Sequence, residues 1–220
     1  MKKRVLGYLK QEDFESSLEE ICQLPPRRVV NPLFSFFHHR EEIVKWRAVT
    51  AMGAVVARLA ESDLESSRVV VRRLLWNLND ESGGIGWGSA EAMGEIMARH
   101  FKLAEEFADI LISFVRKEAG FIEHELLQRG VLWGLGRLAQ VRPQHLAAVP
   151  PLLPAYLESK DAILRGHAAW TAGLLSAGLT RAALRKLSGD QEKLDLFLNG
   201  RLEKKTVGQL AQEALLRIDG

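Results

Sequence analysis

A glycine that returns about every forty residues constrains this chain more than any other feature. Four segments line up on it: VKWRAVTAMG at 44–53, IGWGSAEAMG at 85–94, LQRGVLWGLG at 127–136 and LRGHAAWTAG at 164–173. The anchors Gly53, Gly94, Gly136 and Gly173 stand 41, 42 and 37 residues apart, and a weaker copy, VGQLAQEALL at 207–216, ends on Leu216, 43 residues further on. A period near 40 with one such helix in each period belongs to stacked helix pairs, in which every pair buries its apolar face against the next.

The segments between the copies supply the first helix of each pair. Residues 64–78 place Val70, Val71, Leu74, Leu75 and Leu78 at helical spacing, and residues 103–115 do the same with Leu103, Phe107, Ile110, Leu111 and Phe114. Ser62 or Asp63, and Asp161, stand where a short polar oxygen can accept from the free N–H groups of a first turn. Pro150, Pro151 and Pro154 predict a split or kinked first helix in the fourth pair. Helices near 3–10 and 14–23 are expected to cap the open end of the array.

The stretch LDLFLNGRLEKKTV at 194–207 breaks the pattern. Alternating Leu194, Leu196 and Leu198 followed by Asn199-Gly200 reads as a β-hairpin with a type I′ turn. A rival reading makes 190–198 a short helix closed by Gly200, because Leu194, Phe197 and Leu198 also fit helical spacing. Thr206 with Gln209 three residues later predicts a capping box for the final helix.

Together the copies read V-R-x-x-A-x-x-A-L-G, a pattern that resembles the second helix of a HEAT repeat, in particular the short bacterial variety known as PBS-lyase-like HEAT repeats. The resemblance runs from about residue 25 to the end. It implies an all-α fold: a HEAT-like α-solenoid, a right-handed superhelix of about five antiparallel helix pairs, here with a small C-terminal β-hairpin. The expected organisation is one domain over 1–220, with an N-terminal helical cap at 1–24, four repeats at 25–178 and an atypical C-terminal repeat at 179–220 with the hairpin near 194–206. Such arrays serve as scaffolds, binding modules and occasionally enzymes, so the resemblance speaks to architecture far more than to function.

Composition narrows the function classes. Lys and Arg total 30 against 28 Asp and Glu, a net charge of +2, which does not support a dedicated nucleic-acid binder. The single cysteine, Cys22, lies on the Phe14/Leu18/Ile21 side of an amphipathic stretch and reads as core; with no second thiol the chain suits a reducing compartment, and a cytoplasmic location is expected. The longest mainly apolar run, LAAVPPLLPAYL at 146–157, holds three prolines and is too short to span a membrane.

Numbering from each anchor glycine, positions −9, −5, −2 and −1 are apolar and face the core, which leaves −7, −3 and +1 on the other, concave side that the resemblance assigns to second helices. Trp46, Trp87, Trp133 and Trp170 fall on that face, together with Glu91, Glu95, Arg129 and Arg137. Open aromatics interleaved with arginines are the material of binding hot spots. The structural alternative is that the tryptophans pack over small neighbours, or under the N-terminal segment, while Arg129 and Arg137 pair with Glu91 and Glu95 as a ladder between adjacent helices.

No chemistry-bearing motif stands out. SGGIGWGSAEAMG at 82–94 invites a phosphate-cradle reading, but a helix end precedes it, it lacks the lysine of a P-loop, and no strand leads into it. Gly83, Gly84 and Gly86 are read instead as a mobile rim of the concave face, with His124 and Glu125 capping or lining the same rim. The His124-Glu125 pair is similar to the His-Glu pairs of deoxyhypusine hydroxylase, a metal-binding HEAT-repeat enzyme, but the equivalent places carry Glu41-Glu42, Gly83-Gly84 and Asp161-Ala162, so a two-metal site lacks its ligands. No catalytic residue, metal or cofactor is expected. The best reading is a non-enzymatic scaffold or adaptor that docks a partner protein or peptide on the concave face. The alternatives are an accessory protein or lyase acting on a small cofactor or tetrapyrrole, and a nucleic-acid-binding member of the same class.

Overall fold

The computed structural model describes residues 1–79 and 86–220. Helices α1 (Lys2–Lys10) and α2 (Phe14–Gln23) precede five helix pairs. The pairs are α3 (Pro26–Phe36) with α4 (Glu42–Ser62), α5 (Leu64–Leu78) with α6 (Ser89–Arg99), and α7 (Phe101–Ser113) with α8 (Glu125–Ala139). In the fourth, two 3-10 turns (Pro143–Leu146 and Pro150–Leu152) and the short α9 (Leu153–Leu157) stand in for a first helix and lead to α10 (Ala162–Leu174). The fifth is α11 (Arg181–Leu187) with α12 (Val207–Asp219), separated by strands β1 (Lys193–Leu198) and β2 (Arg201–Thr206). The fourth first helix is broken where Pro150, Pro151 and Pro154 remove successive N–H donors.

Second helices α4, α6, α8, α10 and α12 pack side by side in chain order and form the spine. The recurring glycines are where neighbours cross. A Cβ on Gly53 would stand 2.7 Å from Glu95 Cβ, one on Gly94 2.5 Å from Gly134 Cα, one on Gly136 2.2 Å from the Trp170 ring, and one on Gly173 2.7 Å from Ala214 Cα. Each anchor thus lies against the second helix of the following repeat, and any side chain there would push two helices apart.

The helix starts follow the capping signals. Asp63, not Ser62, accepts from Ser66 N–H at the start of α5, and Asp161 accepts from the N–H groups of Ile163 and Leu164 at α10. Thr206 and Gln209 make the reciprocal capping box of α12. His100, which carried no sequence signal, caps α7 through Nδ1, which accepts from Leu103 N–H. Of the stripe assigned to the third first helix, Ile110 is exposed and the rest is buried.

The hairpin reading holds and the short-helix alternative does not. β1 and β2 pair antiparallel from Lys193↔Thr206 to Leu198↔Arg201. Asn199 (φ 49°) and Gly200 (φ 79°) form the two-residue turn, with both residues in the left-handed region that a type I′ turn requires. β1 is buried at Leu194, Leu196 and Phe197, while β2 is the partly exposed outer strand. Leu194 reaches α10 only because position 166 is glycine, where a Cβ would stand 2.6 Å from the leucine. No helix among the described residues is long and apolar enough to cross a membrane.

Candidate functional site

The concave side of the spine is not an open surface. β1 lies across it, and Phe197 stacks on Trp46 with ring centroids 5.1 Å apart and planes 7° from parallel. Trp133 packs against both rings and donates its indole N–H to the Phe197 carbonyl oxygen at 3.0 Å. Trp170 completes the cluster 6.4 Å from Trp133. Trp133 keeps only 1% of its surface exposed, and Trp46 and Trp170 are also buried. The expected exposure of these three tryptophans is therefore corrected. The periodicity placed them on the non-core face of their helices, and the hairpin converts that face into a second core.

The charged residues divide in the same way. Glu95 is buried and accepts from Arg99 Nε and Arg137 Nε, each at 3.0 Å, so the ladder expected between adjacent helices exists for Arg137. Arg129 departs from it: its guanidinium binds Asp161 in the N-cap of α10, not Glu91. Asp161 therefore caps α10 and ties α8 to it, and these bonds hold its carboxyl below the usual carboxylate range against the opposing effect of burial.

Two cavities flank the hairpin. The larger, about 580 Å³, lies between the start of α2 and the hairpin tip and is lined by Glu95, Arg99 and Arg137 with Arg47 and Arg201. Its charges are mixed in sign: Arg99 and Arg137 pair with Glu95, and Arg47 donates to the carbonyl oxygens of Leu9 and Gln11. The smaller, about 180 Å³, sits at the N-terminal ends of α4, α6, α8 and α10 and is closed on one side by Asp195 of β1. Its wall holds four of the expected site residues, Trp46, Trp87, Glu91 and Arg129, together with Lys45, Leu126, Ile163 and His167.

Trp87 is the one concave tryptophan that stays open, 39% exposed, with Leu126 also exposed at the same mouth. The Lys45 ammonium stands 5.6 Å from its ring centroid and His38 lies 6.3 Å away. Glu91 stands behind it at 8% exposure. Burial pushes its carboxyl above the usual range, and the Lys45 charge and the N–H groups of Glu91 and Gly88 pull it part of the way back. Glu91 is the third residue of α6 and so stands in its first turn, where the helix N-terminus favours negative charge. Gly130 makes room for it, since a Cβ there would stand 2.6 Å from the carboxyl group.

His167 is the residue that sequence reasoning missed. It is 3% exposed, and burial pushes its pKa down to about 4, only partly opposed by the Arg129 carbonyl and Asp161. Its Nδ1 lies 3.0 Å from the Arg129 carbonyl oxygen, which can only accept, so Nδ1 carries the proton and Nε2 presents a lone pair. That Nε2, like Trp46 Nε1, is buried without a hydrogen-bond partner among the described residues. A histidine two residues after the loop-facing Arg165 carries no pattern of its own, and only the register of α10 against α8 gives it this setting.

The rim expectations fare unevenly. Gly86 is buried, with a hypothetical Cβ 2.9 Å from Leu127, and forms part of the packing and not of a rim. Gly83 and Gly84 lie outside the described residues. His124 and Glu125 are exposed at the start of α8, where His124 occupies the N-cap position without making a side-chain cap bond. Among the described residues no group of three His, Cys, Asp or Glu side chains is arranged to hold a metal.

An array of helix pairs laid on a spine of second helices defines an α-solenoid of the HEAT/armadillo type. Residues 125–171, which span α8 and most of α10, match the family described as HEAT-like repeat. An uncharacterized protein of Archaeoglobus fulgidus is 27% identical over 109 residues, 50% of this chain and 53% of its own length, so the match spans about half of that relative. Among solved structures, an engineered protein superposes with a TM-score of 0.56 at 16% identity, covering 99% of this chain and 96% of the other. A designed armadillo repeat protein in complex with the peptide (KR)4 gives 0.56 at 16% identity, covering 97% and 98%. These likenesses show the fold.

Proposed function

We propose that this protein is a non-enzymatic recognition module that docks a segment of a partner protein at the mouth of the smaller cavity. The observation that carries this reading is the contrast among the four concave tryptophans: three are consumed by packing under the hairpin, and Trp87 is left 39% exposed beside a preformed hollow. An exposed indole next to an exposed leucine and a cavity is the arrangement expected of an interaction hot spot, because it desolvates a large area with little side-chain entropy to lose. The solenoid fold is commonly used for protein binding, and a designed armadillo repeat protein of similar fold is in complex with a peptide, which supports the class of partner. A cytoplasmic setting fits the lone, half-buried Cys22, whose thiol is pushed up by burial and so is less reactive than an exposed one.

The test is capture of partners from a native lysate on immobilised wild type and on Trp87→Ala. The expected result is loss of the captured partner with helicity and denaturation midpoint unchanged. An identical set of partners on both proteins would overturn the assignment of Trp87.

A further inference from the structure

We propose that the 180 Å³ cavity is a receptor for one organic cation, an ammonium or guanidinium group on a short aliphatic stem, contributed by a basic side chain of the docked partner. The proposal rests on the docking reading for the source of the cation and on the cavity alone for its chemistry.

The size comes first. Pockets for drug-sized molecules run to roughly 300–1,000 Å³, so this one holds a single side chain or a fragment of that size. The acceptors come next. His167 Nε2 presents a lone pair that nothing among the described residues uses, and Glu91 presents a buried carboxyl group with no ion pair within 4.0 Å among those residues. Of the other charges at the wall, Arg129 is held by Asp161 and Asp195 accepts from Lys204 at 3.0 Å, while Glu42 adds a second carboxylate with no ion pair within 4.0 Å among the described residues. Lys45 is the remaining cation, and it stands over the Trp87 ring.

An unpartnered histidine nitrogen and a buried carboxyl without an ion pair, on two residues that line one cavity, call for an N–H donor, and a buried carboxylate calls for a positively charged one. The indole of Trp87 supplies a ring quadrupole that attracts such a group, while Trp46, Ile163 and Leu126 give apolar wall that suits its stem. Gly130 leaves the room that the carboxyl group occupies.

The experiment uses the full chain and three small probes: propylguanidinium, butylammonium and butyrate. Binding is read by the carbon and nitrogen NMR signals of the His167 imidazole and by tryptophan fluorescence. The two cations are expected to saturate with Kd on the order of 1–10 mM, as suits ligands of so few atoms, and butyrate is expected not to bind. Glu91→Gln should weaken both cations by roughly tenfold or more, the worth of one hydrogen bond to a charged group. Wild-type His167 signals should shift on titration, a readout that needs no variant to fold. Binding of butyrate in preference to the cations, no saturable shift with either cation, or equal affinity in Glu91→Gln would each overturn the proposal. The docking reading fails separately: it falls if cations saturate the pocket while Trp87→Ala captures the same partners, and it stands if Trp87-dependent capture persists without cation binding.

Discussion

Trp133 and Trp87 belong to neighbouring copies of one repeat and lie on the same side of the spine, yet their surroundings are opposite. Trp133 is enclosed by Trp46, Trp170 and Phe197 and has its N–H satisfied by the hairpin backbone. Trp87 touches a lysine and a histidine at the edge of a hollow. Trp87 stands in the turn before the N-cap of α6, seven positions ahead of its anchor glycine, whereas Trp133 stands in the middle of α8, three ahead of its own, where β1 passes overhead. A concave tryptophan in this protein is structural where the hairpin covers it and available where the hairpin stops.

That contrast can be broken or sharpened by measurement. The largest effect is expected from Trp133→Ala, which removes the centre of the covered cluster and should cost about 3–5 kcal/mol in chemical denaturation. A loss below about 1 kcal/mol would mean that the hairpin is not a structural lid.

A smaller effect should come from acidification. His167 has a folded pKa of about 4 against an ordinary value of 6.5, so between those values the unfolded chain binds more protons than the folded one. Stability is therefore complete above pH 6.5 and is lost as the pH falls toward 4, by up to about 3 kcal/mol at 1.36 kcal/mol per unit. Glu91 acts in the opposite sense, because its raised folded pKa makes its protonation stabilising as the pH falls. His167→Asn should flatten the midpoint-versus-pH curve over this window, and Glu91→Gln should steepen it while stabilising the protein at pH 7. An unchanged curve in His167→Asn would show that the imidazole is not buried as described.

Next in size is Gly94→Ala, whose Cβ would stand 2.5 Å from Gly134 Cα where α6 crosses α8. Overpacking of this kind should cost about 1–3 kcal/mol in thermal or urea unfolding. Gly178→Ala, with nothing within 4 Å, serves as the matched control and should change little. Thr206→Ala removes the capping box that starts α12 just after the hairpin and should cost about 1 kcal/mol. The smallest stability change is expected for Trp87→Ala, within about 0.5 kcal/mol. A loss comparable to that of Trp133→Ala would erase the distinction between the two tryptophans.

Most of the architecture could be read from residues that act locally. The glycine period, the caps at Asp63, Asp161 and Thr206, the broken fourth helix and the Asn199-Gly200 turn all depend on neighbours a few positions away, or on a repeat that makes the same contact each time. The candidate site was legible only in part. Trp87, Glu91 and Arg129 were picked out by their place on the repeat, but Arg129 was paired with the wrong acid, and His167, Lys45 and Gly130 carried no pattern of their own.

The sequence by itself determined the repeating pairs, the hairpin and the side of each second helix that would not face the first-helix layer, because helical and strand periodicities are written in consecutive residues. Only the tertiary structure decided which of those faces would meet water. The hairpin lies between 20 and nearly 160 positions away from the tryptophans and the glutamate it covers or borders, and no local period encodes where a strand will come to rest. Burial, and with it the division of one concave face into a packed core and an open pocket, was settled by that long-range contact.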